Sequence, residues 1–152
     1  MDRTVRIWDL RVGECIRLFS SGGGGSVTSL AFSPNGEHVV SGGDNEHLTV
    51  WSIKEGKKLK NLGWKNKNDK NCTVRSLEYS KDGTVLACAT TDRCVRIWDA
   101  GLNHFSGDGA RNGRDGVFNT FNTKTTDVYD LTFTERNLLV ASGCSREKKV
   151  MM

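Results

Sequence analysis

The sequence predicts an all-β fold, a partial β-propeller of about three and a half four-stranded antiparallel blades. An eight-residue stretch that occurs twice carries this prediction. DRTVRIWD at residues 2–9 and DRCVRIWD at residues 92–99 are identical at seven of eight positions. A weaker copy, HLTVWS, lies between them at residues 47–52. The final tryptophans of the three copies lie 43 and 47 residues apart, a period typical of propeller blades.

The predicted strands group into four successive units. Residues 1–19 are the end of one blade, 27–62 and 73–123 are complete blades, and 127–142 begin a further blade. Within each unit, runs of β-branched and apolar residues are separated by turn sequences such as Pro34-Asn35-Gly36. Residues 100–116 are rich in glycine and charge, and we expect them to form a mobile insertion loop at one rim.

The predicted blades are too few to close a ring. At roughly 43 residues a blade, the chain falls short of the about four to eight blades that closed propellers contain. Its first strand also lies inside a blade, so we expect a C-terminal piece of a longer propeller protein. Because two sheet faces would then stay uncovered, we expect residues 1–152 alone to be partly molten, oligomeric or prone to aggregation.

The charge is mildly basic, with 22 Lys and Arg against 18 Asp and Glu, and it does not by itself indicate a nucleic-acid or membrane partner. The excess is local, since seven lysines lie between residues 54 and 70. Lysines on an outer strand discourage edge-to-edge pairing. We expect a partner contact at Lys65, Lys67 and Lys70, and then at residues 103–116.

The sequence shows no constellation of residues suited to catalysis or metal binding. The five cysteines include no CxxC pair and the three histidines are far apart, so we predict no metal and no cofactor. No nucleophile or carboxylate pair is placed with a base, and we expect no enzymatic activity. The sequence has no leader-like or long apolar segment, which predicts an intracellular, reduced protein without a membrane partner.

The motifs DRTVRIWD, LAFSPNGEHVVSGG and DRCVRIWD resemble those of the WD-repeat family. In that family an Asp, a His, a Ser or Thr and the Trp often form a hydrogen-bonded tetrad within each blade. The resemblance places tetrad residues at Asp2, Trp8, Trp51, Thr90, Asp92 and Trp98. Asn45 takes the Asp place in the middle blade, and the His places fall near Gly23, Lys70 and Lys124. We expect these residues to stabilise the blades rather than to act in a site.

The order of segments near the end resembles the C-terminal propeller part of the family of transcription initiation factor TFIID subunit 5. There a long insertion follows the last Trp-Asp pair and precedes a segment similar to TKTTDVYDLTFTERNLLVASG at residues 123–143. This resemblance implies a nuclear, non-enzymatic scaffold of a TFIID or SAGA-type complex. It would contact histone-fold subunits and support transcription initiation by RNA polymerase II.

Two other functions stay open at this point. One is an adaptor of another assembly, such as a ubiquitin-ligase receptor or a signalling scaffold. The other is a nucleic-acid contact made by the basic strip between residues 54 and 70, which would show a steep dependence on salt. Sequence upstream of residue 1 would separate the TFIID-type scaffold from the adaptor, because a LisH-like helical segment favours the scaffold and an F-box favours the adaptor.

Overall fold

The computed structural model describes residues 3–20, 25–44, 47–64, 72–101 and 117–145. All regular structure within these ranges is β-strand. The strands are β1 (Thr4–Asp9), β2 (Glu14–Ser20), β3 (Val27–Phe32), β4 (His38–Gly43), β5 (His47–Ser52), β6 (Lys57–Gly63), β7 (Val74–Tyr79), β8 (Val85–Thr90), β9 (Cys94–Asp99), β10 (Val117–Asn122), β11 (Thr126–Phe133) and β12 (Leu139–Ser145).

The strands form two complete sheets flanked by two half-sheets. The second and third sheets are four-stranded, with the orders β3-β4-β5-β6 and β7-β8-β9-β10. The first sheet contains β1 and β2, and the fourth contains β11 and β12. Neighbouring strands in all four sheets are antiparallel. This architecture confirms the predicted fold class, an all-β partial propeller.

Most ends of the four expected units differ from the observed strand ends by one residue, and the last differs by more. β9 begins at Cys94, because Arg93 takes a left-handed conformation, with a φ of 64°, which cannot continue a strand. β12 runs to Ser145, beyond the expected end at residue 142. The expected insertion at 100–116 lies almost wholly outside the described residues.

The same type of hydrogen bond closes the first hairpin of the second, third and fourth sheets. The hydroxyl of Ser33 accepts a hydrogen bond from the His38 amide at 2.9 Å, and that of Ser80 accepts one from the Val85 amide at 2.9 Å. In the fourth sheet the hydroxyl of Thr134 accepts from the Leu138 amide at 3.0 Å. These three bonds identify β3-β4, β7-β8 and β11-β12 as equivalent hairpins.

Three apolar layers hold the four sheets together. The first layer joins Val5, Ile7 and Phe19 to Val39 and Trp51 of the second sheet. The largest lies between the second and third sheets, and its buried members include Val40, Leu48, Val50, Leu62, Trp64, Val74, Leu77, Tyr79, Leu86 and Trp98. The last joins Ala87, Ala89 and Val95 to Val128, Leu131 and Phe133. Each complete sheet therefore packs against a neighbour through both faces, and each half-sheet through one.

The third apolar layer should anchor β11 to the third sheet mainly through buried side chains such as Phe133. Phe133→Ala removes a ring that is 6% exposed and leaves a cavity against the third sheet, so we expect a loss of about 3 to 5 kcal/mol in the free energy of unfolding. Tyr129→Ala is the control on the same strand, at an exposed position. Its ring is 48% exposed and stacks under Arg75, so the loss should stay near about 1 kcal/mol. Equal losses in urea titrations would contradict this packing.

Candidate functional site

A buried polar cluster lies where β8 turns into β9. Asp92 and Arg96 face each other through both carboxylate oxygens: Arg96 Nη1 donates to Asp92 Oδ1 at 3.1 Å, and Nη2 donates to Oδ2. The Thr90 hydroxyl donates to Asp92 Oδ1 at 2.5 Å and accepts from Arg96 Nη1. Thr90 is 1% exposed and Arg96 is 4% exposed. A buried, two-pronged ion pair of this kind fixes the hairpin geometry, because each charge loses its partner if the turn moves.

Aromatic rings close the cluster on the side of the second sheet. The guanidinium carbon of Arg96 lies 4.9 Å from the ring centre of Trp64, which follows β6. Trp64 in turn meets Trp98 edge to face, with ring centres 6.1 Å apart. Arg96 of the third sheet therefore contacts the segment that follows the second sheet, through a cation–π contact with Trp64.

Opposing effects act on the pKa values of the two charged groups. Burial would raise the pKa of Asp92, but the hydrogen bonds from Arg96 and Thr90 outweigh it and hold that pKa below its ordinary value. Burial would likewise lower the pKa of Arg96, and the bond to Asp92 raises it instead. Both groups are thus charged at neutral pH, and neither is poised to exchange a proton.

The thiols around the cluster are equally unsuited to chemistry. Burial raises the pKa values of Cys72 and Cys88, so both thiols stay protonated and are poor nucleophiles at neutral pH. Among the described residues, no group of three or more His, Cys, Asp or Glu side chains could hold a metal ion. The described ranges also contain no helix long and apolar enough to cross a bilayer.

The buried tryptophans of the two complete sheets, Trp51 and Trp98, differ in their hydrogen bonding. In the second sheet, Trp51 Nε1 donates to the Ser41 hydroxyl at 2.9 Å. Trp98 is fully buried, and its Nε1 has no hydrogen-bond partner within the described part of the chain. Strand register explains the difference: Trp51 pairs with Val39 and Trp98 with Leu86, so Cys88 stands where the second sheet has Ser41. A thiol is a weak acceptor.

The structure brings together only some of the residues expected in a tetrad. Thr90 and Asp92 meet, but Arg96 fills the place around them and Trp98 is not joined to Thr90. Trp51 is 4% exposed and stacks on Phe19 at 5.2 Å between ring centres. Trp8 is 52% exposed on the open side of the first sheet.

Several expected residues cannot be placed. Asp2, Lys65, Lys67, Lys70 and residues 103–116 lie outside the described ranges. Of the basic strip, the structure describes the four lysines that follow β5 along the outer strand β6. Lys54, Lys57 and Lys58 are exposed and Lys60 is half-buried. Lys57 pairs with Glu55 at 3.0 Å in an exposed ion pair, which contributes little stability.

Sequence reasoning did not identify Arg96 or Ser41. A signal for Arg96 was present: it alternates with Val95 and Ile97 in a strand expected to be buried on both faces, and Asp92 precedes it by four residues. A charge in such a position requires a partner. Ser41 carried no comparable signal, because serine is common at strand ends.

The inner strands are cross-linked by polar side chains. Thr28 Oγ1 donates to the carbonyl of Val74 at 2.6 Å, which ties β3 to β7. Ser76 Oγ donates to Asp130 Oδ1 at 2.8 Å, which ties β7 to β11. These contacts stabilise the packing of the inner strands, as does the buried cluster. The surfaces that remain accessible to a partner are the outer strands, the turns and the uncovered sheet faces.

We expect opposite effects on stability when the hydroxyl near Trp51 is removed and when a hydroxyl is placed near Trp98. Ser41→Ala leaves Trp51 Nε1 buried without an acceptor, so we expect the free energy of unfolding to fall by about 1 to 3 kcal/mol. Cys88→Ser supplies the hydroxyl that Trp98 lacks and should raise it by about 1 kcal/mol. Urea unfolding of both variants checks this. A loss of stability in both variants would show that the hydroxyl does not determine the difference.

The buried ion pair predicts an acid-dependent part of the stability. Because the pKa of Asp92 is lowered on folding, its contribution is present above about pH 4 and disappears as the pH falls through the lowered value. Arg96→Met should cost about 3 kcal/mol at neutral pH by leaving the carboxylate unpaired. In Asp92→Asn this acid-dependent contribution should be gone. An unchanged pH profile in that variant, followed by urea unfolding from pH 2 to 7, would contradict the assignment.

Comparison with known proteins agrees with this architecture. The model of the WD domain, G-beta repeat, matches residues 13–52 and 61–99. Transcription initiation factor TFIID subunit 5 of Caenorhabditis elegans is 29% identical over 94% of this chain and 23% of its own length. Small ribosomal subunit protein RACK1y of Oryza sativa subsp. japonica is 35% identical over 64% of this chain and 27% of its own length. Eukaryotic translation initiation factor 3 subunit I of Drosophila ananassae is 28% identical over 49% of this chain and 22% of its own length.

The chain thus spans roughly a quarter of the length of the relatives that it matches. The first matched repeat spans β2 to β5, and the second spans the end of β6 and the strands β7 to β9. They include the third strand of each complete sheet, β5 and β9, with its buried tryptophan. Because the matched repeats cover more than half of the chain and form antiparallel sheets of the expected kind, the chain belongs to the WD domain, G-beta repeat family.

Proposed function

We propose that this chain is a non-enzymatic scaffold of a TFIID-type or SAGA-type complex that supports transcription initiation by RNA polymerase II. Proteins of the WD-repeat family serve as protein-interaction scaffolds, and the chain is one of them. The more specific assignment concerns which assembly it enters. It implies a nuclear location and contacts with histone-fold subunits.

The extent of similarity carries the proposal. The alignment with TFIID subunit 5 covers 94% of this chain, whereas those with RACK1y and translation initiation factor 3 subunit I cover 64% and 49%. General repeat similarity ends at residue 99. The alignment with TFIID subunit 5 is long enough to extend into the last two sheets, where the repeat pattern is interrupted.

The arrangement of side chains supports binding rather than catalysis. The charged groups at the end of β8 and β9 are paired with each other, and the buried thiols are protonated. What remains accessible are the outer strands and the hairpin turns, which rigid sheets hold in fixed positions. Loops carried on a rigid scaffold are common binding surfaces.

A second candidate is a scaffold of another assembly. The 35% identity to RACK1y over 99 residues favours it, because that identity is higher than the 29% with TFIID subunit 5. The basic strip between residues 54 and 70 keeps nucleic acid as a further partner to be tested.

Affinity purification separates these functions. The chain is tagged in its own cells, purified at moderate salt with and without nuclease, and its companions are identified by mass spectrometry. We expect TATA-binding protein and histone-fold subunits to co-purify and to persist after nuclease. Ribosomal or translation-factor subunits in their place would contradict the proposal, and companions lost on nuclease treatment would indicate a nucleic-acid contact.

A matched pair of triple variants locates the contact. Lys65, Lys67 and Lys70 changed together to Glu should lower recovery of the companions, because reversed charges repel an acidic partner. Lys54, Lys57 and Lys58 changed to Glu provide the same charge change on the adjacent, exposed outer segment and should leave recovery unchanged. The opposite ranking would place the contact on β6.

A further inference from the structure

The turn between β3 and β4 contains an Asn-Gly pair, Asn35-Gly36. Asparagine is a chemically labile residue, and a glycine after it presents a backbone nitrogen that no Cβ crowds. Gly36 has a φ of 71°, and nothing lies within 4 Å of the place where its Cβ would be. Asn35 is exposed. The pair is therefore open to solvent, at a turn within a complete sheet.

Hydrogen bonds hold the Asn35 side chain across the turn. Its Oδ1 accepts from the Ser33 hydroxyl at 2.6 Å and from the Glu37 amide at 3.1 Å. Its Nδ2 donates to Glu37 Oε2 at 2.9 Å. The Gly36 amide donates to the Ser33 carbonyl at 2.9 Å. The two donors on Oδ1 draw electron density from the side-chain carbon Cγ, and they would stabilise the negative oxygen that forms when a nucleophile adds to that carbon.

We propose that Asn35 is a site of spontaneous deamidation, which converts it to aspartate or isoaspartate. The Gly36 nitrogen leaves its bond to the Ser33 carbonyl, attacks Asn35 Cγ and loses its proton. The bond from Cγ to Nδ2 breaks, and ammonia leaves with that proton, which yields a succinimide ring. Water then opens the ring. Attack at Cγ gives aspartate, and attack at the main-chain carbonyl carbon gives isoaspartate, in which the chain runs through the side chain.

The third sheet shows that this turn accommodates an aspartate. Asp82 occupies the equivalent position between β7 and β8, and its Oδ1 accepts from the Ser80 hydroxyl at 2.6 Å and from the Thr84 amide at 3.0 Å. The Gly83 amide donates to the Ser80 carbonyl at 2.9 Å. These bonds repeat those of the turn between β3 and β4, with a carboxylate in place of the amide.

The two turns differ at the position two residues further on. In the third sheet Thr84 Oγ1 donates to Asp82 Oδ1 at 2.8 Å. In the second sheet that position holds Glu37, whose carboxylate accepts from Asn35 Nδ2. Deamidation removes this donor and sets two carboxylates against each other, which destabilises the turn. The Glu37 carbonyl also accepts from the Ile53 amide at 2.9 Å, so a displaced Glu37 would loosen the turn after β5 as well.

Deamidation at this turn therefore adds a negative charge where the structure has no donor to receive it. Aspartate weakens the turn through repulsion. Isoaspartate adds a carbon to the main chain, which changes the spacing on which the hydrogen bonds of a tight turn depend. The inference does not rest on the proposed function, since it concerns the chemistry of one turn.

Peptide mapping by mass spectrometry tests the reaction while the folded 152-residue chain is incubated at physiological pH and temperature. Asn61 is the matched control, because it is also exposed in the second sheet but precedes Leu62. We expect conversion at Asn35 to be at least about tenfold faster than at Asn61, since the leucine side chain crowds the attacking nitrogen. Labelling by a protein isoaspartyl methyltransferase should identify isoaspartate at residue 35. Equal rates at the two asparagines would overturn the proposal.

A destabilised chain separates a reaction within the folded turn from one that requires unfolding. Phe133→Ala loosens the layer between the third and fourth sheets and leaves the turn between β3 and β4 unaltered. If the Gly36 nitrogen attacks within the folded chain, the rate at Asn35 should stay within about twofold in this variant. A rate that rises in step with the unfolded fraction would show that the folded turn protects Asn35, and it would overturn the proposal.

Substitutions test the effect of the added charge. Asn35→Asp reproduces one product and should lower the midpoint of urea unfolding at neutral pH. With Glu37→Thr added, the turn has the carboxylate and hydroxyl that Asp82 and Thr84 provide in the third sheet, so the midpoint should return to that of Glu37→Thr alone. A midpoint that Asn35→Asp leaves unchanged, or that Glu37→Thr does not restore, would overturn the repulsion assigned to Glu37.

Discussion

The structure depends on apolar contact between the faces of successive β-sheets. A sheet of four strands cannot bury both faces by itself, so each complete sheet here obtains its core from the sheet before and the sheet after it. The layer between the second and third sheets is the largest, and it includes fully buried side chains such as Leu48, Leu86 and Trp98. Hydrogen bonding within a sheet sets its shape, while packing between sheets makes it stable. For that reason stability is a property of the stack.

The two complete sheets contain different buried polar contacts beside their buried tryptophans. The second sheet satisfies its buried indole with a serine hydroxyl, and the third sheet instead places an ion pair beside an indole that has no acceptor. A buried Arg against Trp64 is more demanding than a hydroxyl, because it needs a carboxylate, a hydroxyl and a ring in fixed positions. The family resemblance in the backbone therefore does not extend to a uniform network of side chains.

Much of the fold followed from the sequence, because strand periodicity and Trp-Asp spacing are local signals. His47–Ser52 was expected with the bounds that the structure gives it, since turn residues flank it closely. The interior polar contacts did not follow in the same way. Whether Trp98 meets Thr90, or Arg96 does, depends on side-chain register across two strands, and composition does not determine this. The lysines at 65, 67 and 70 stay a prediction, and so does the division into a TFIID-type or another assembly.

The stacking of sheets can be tested where two of them meet over a glycine. A Cβ on Gly42 would lie 2.9 Å from both Leu48 of the second sheet and Val74 of the third, so both side chains lie against the same glycine, within one apolar layer. The most direct measurement is a double-mutant cycle of Leu48→Ala and Val74→Ala in urea unfolding. We predict a single cooperative transition and a coupling energy of about 1 kcal/mol or more. Additive losses, or separate transitions for the two sheets, would contradict the account.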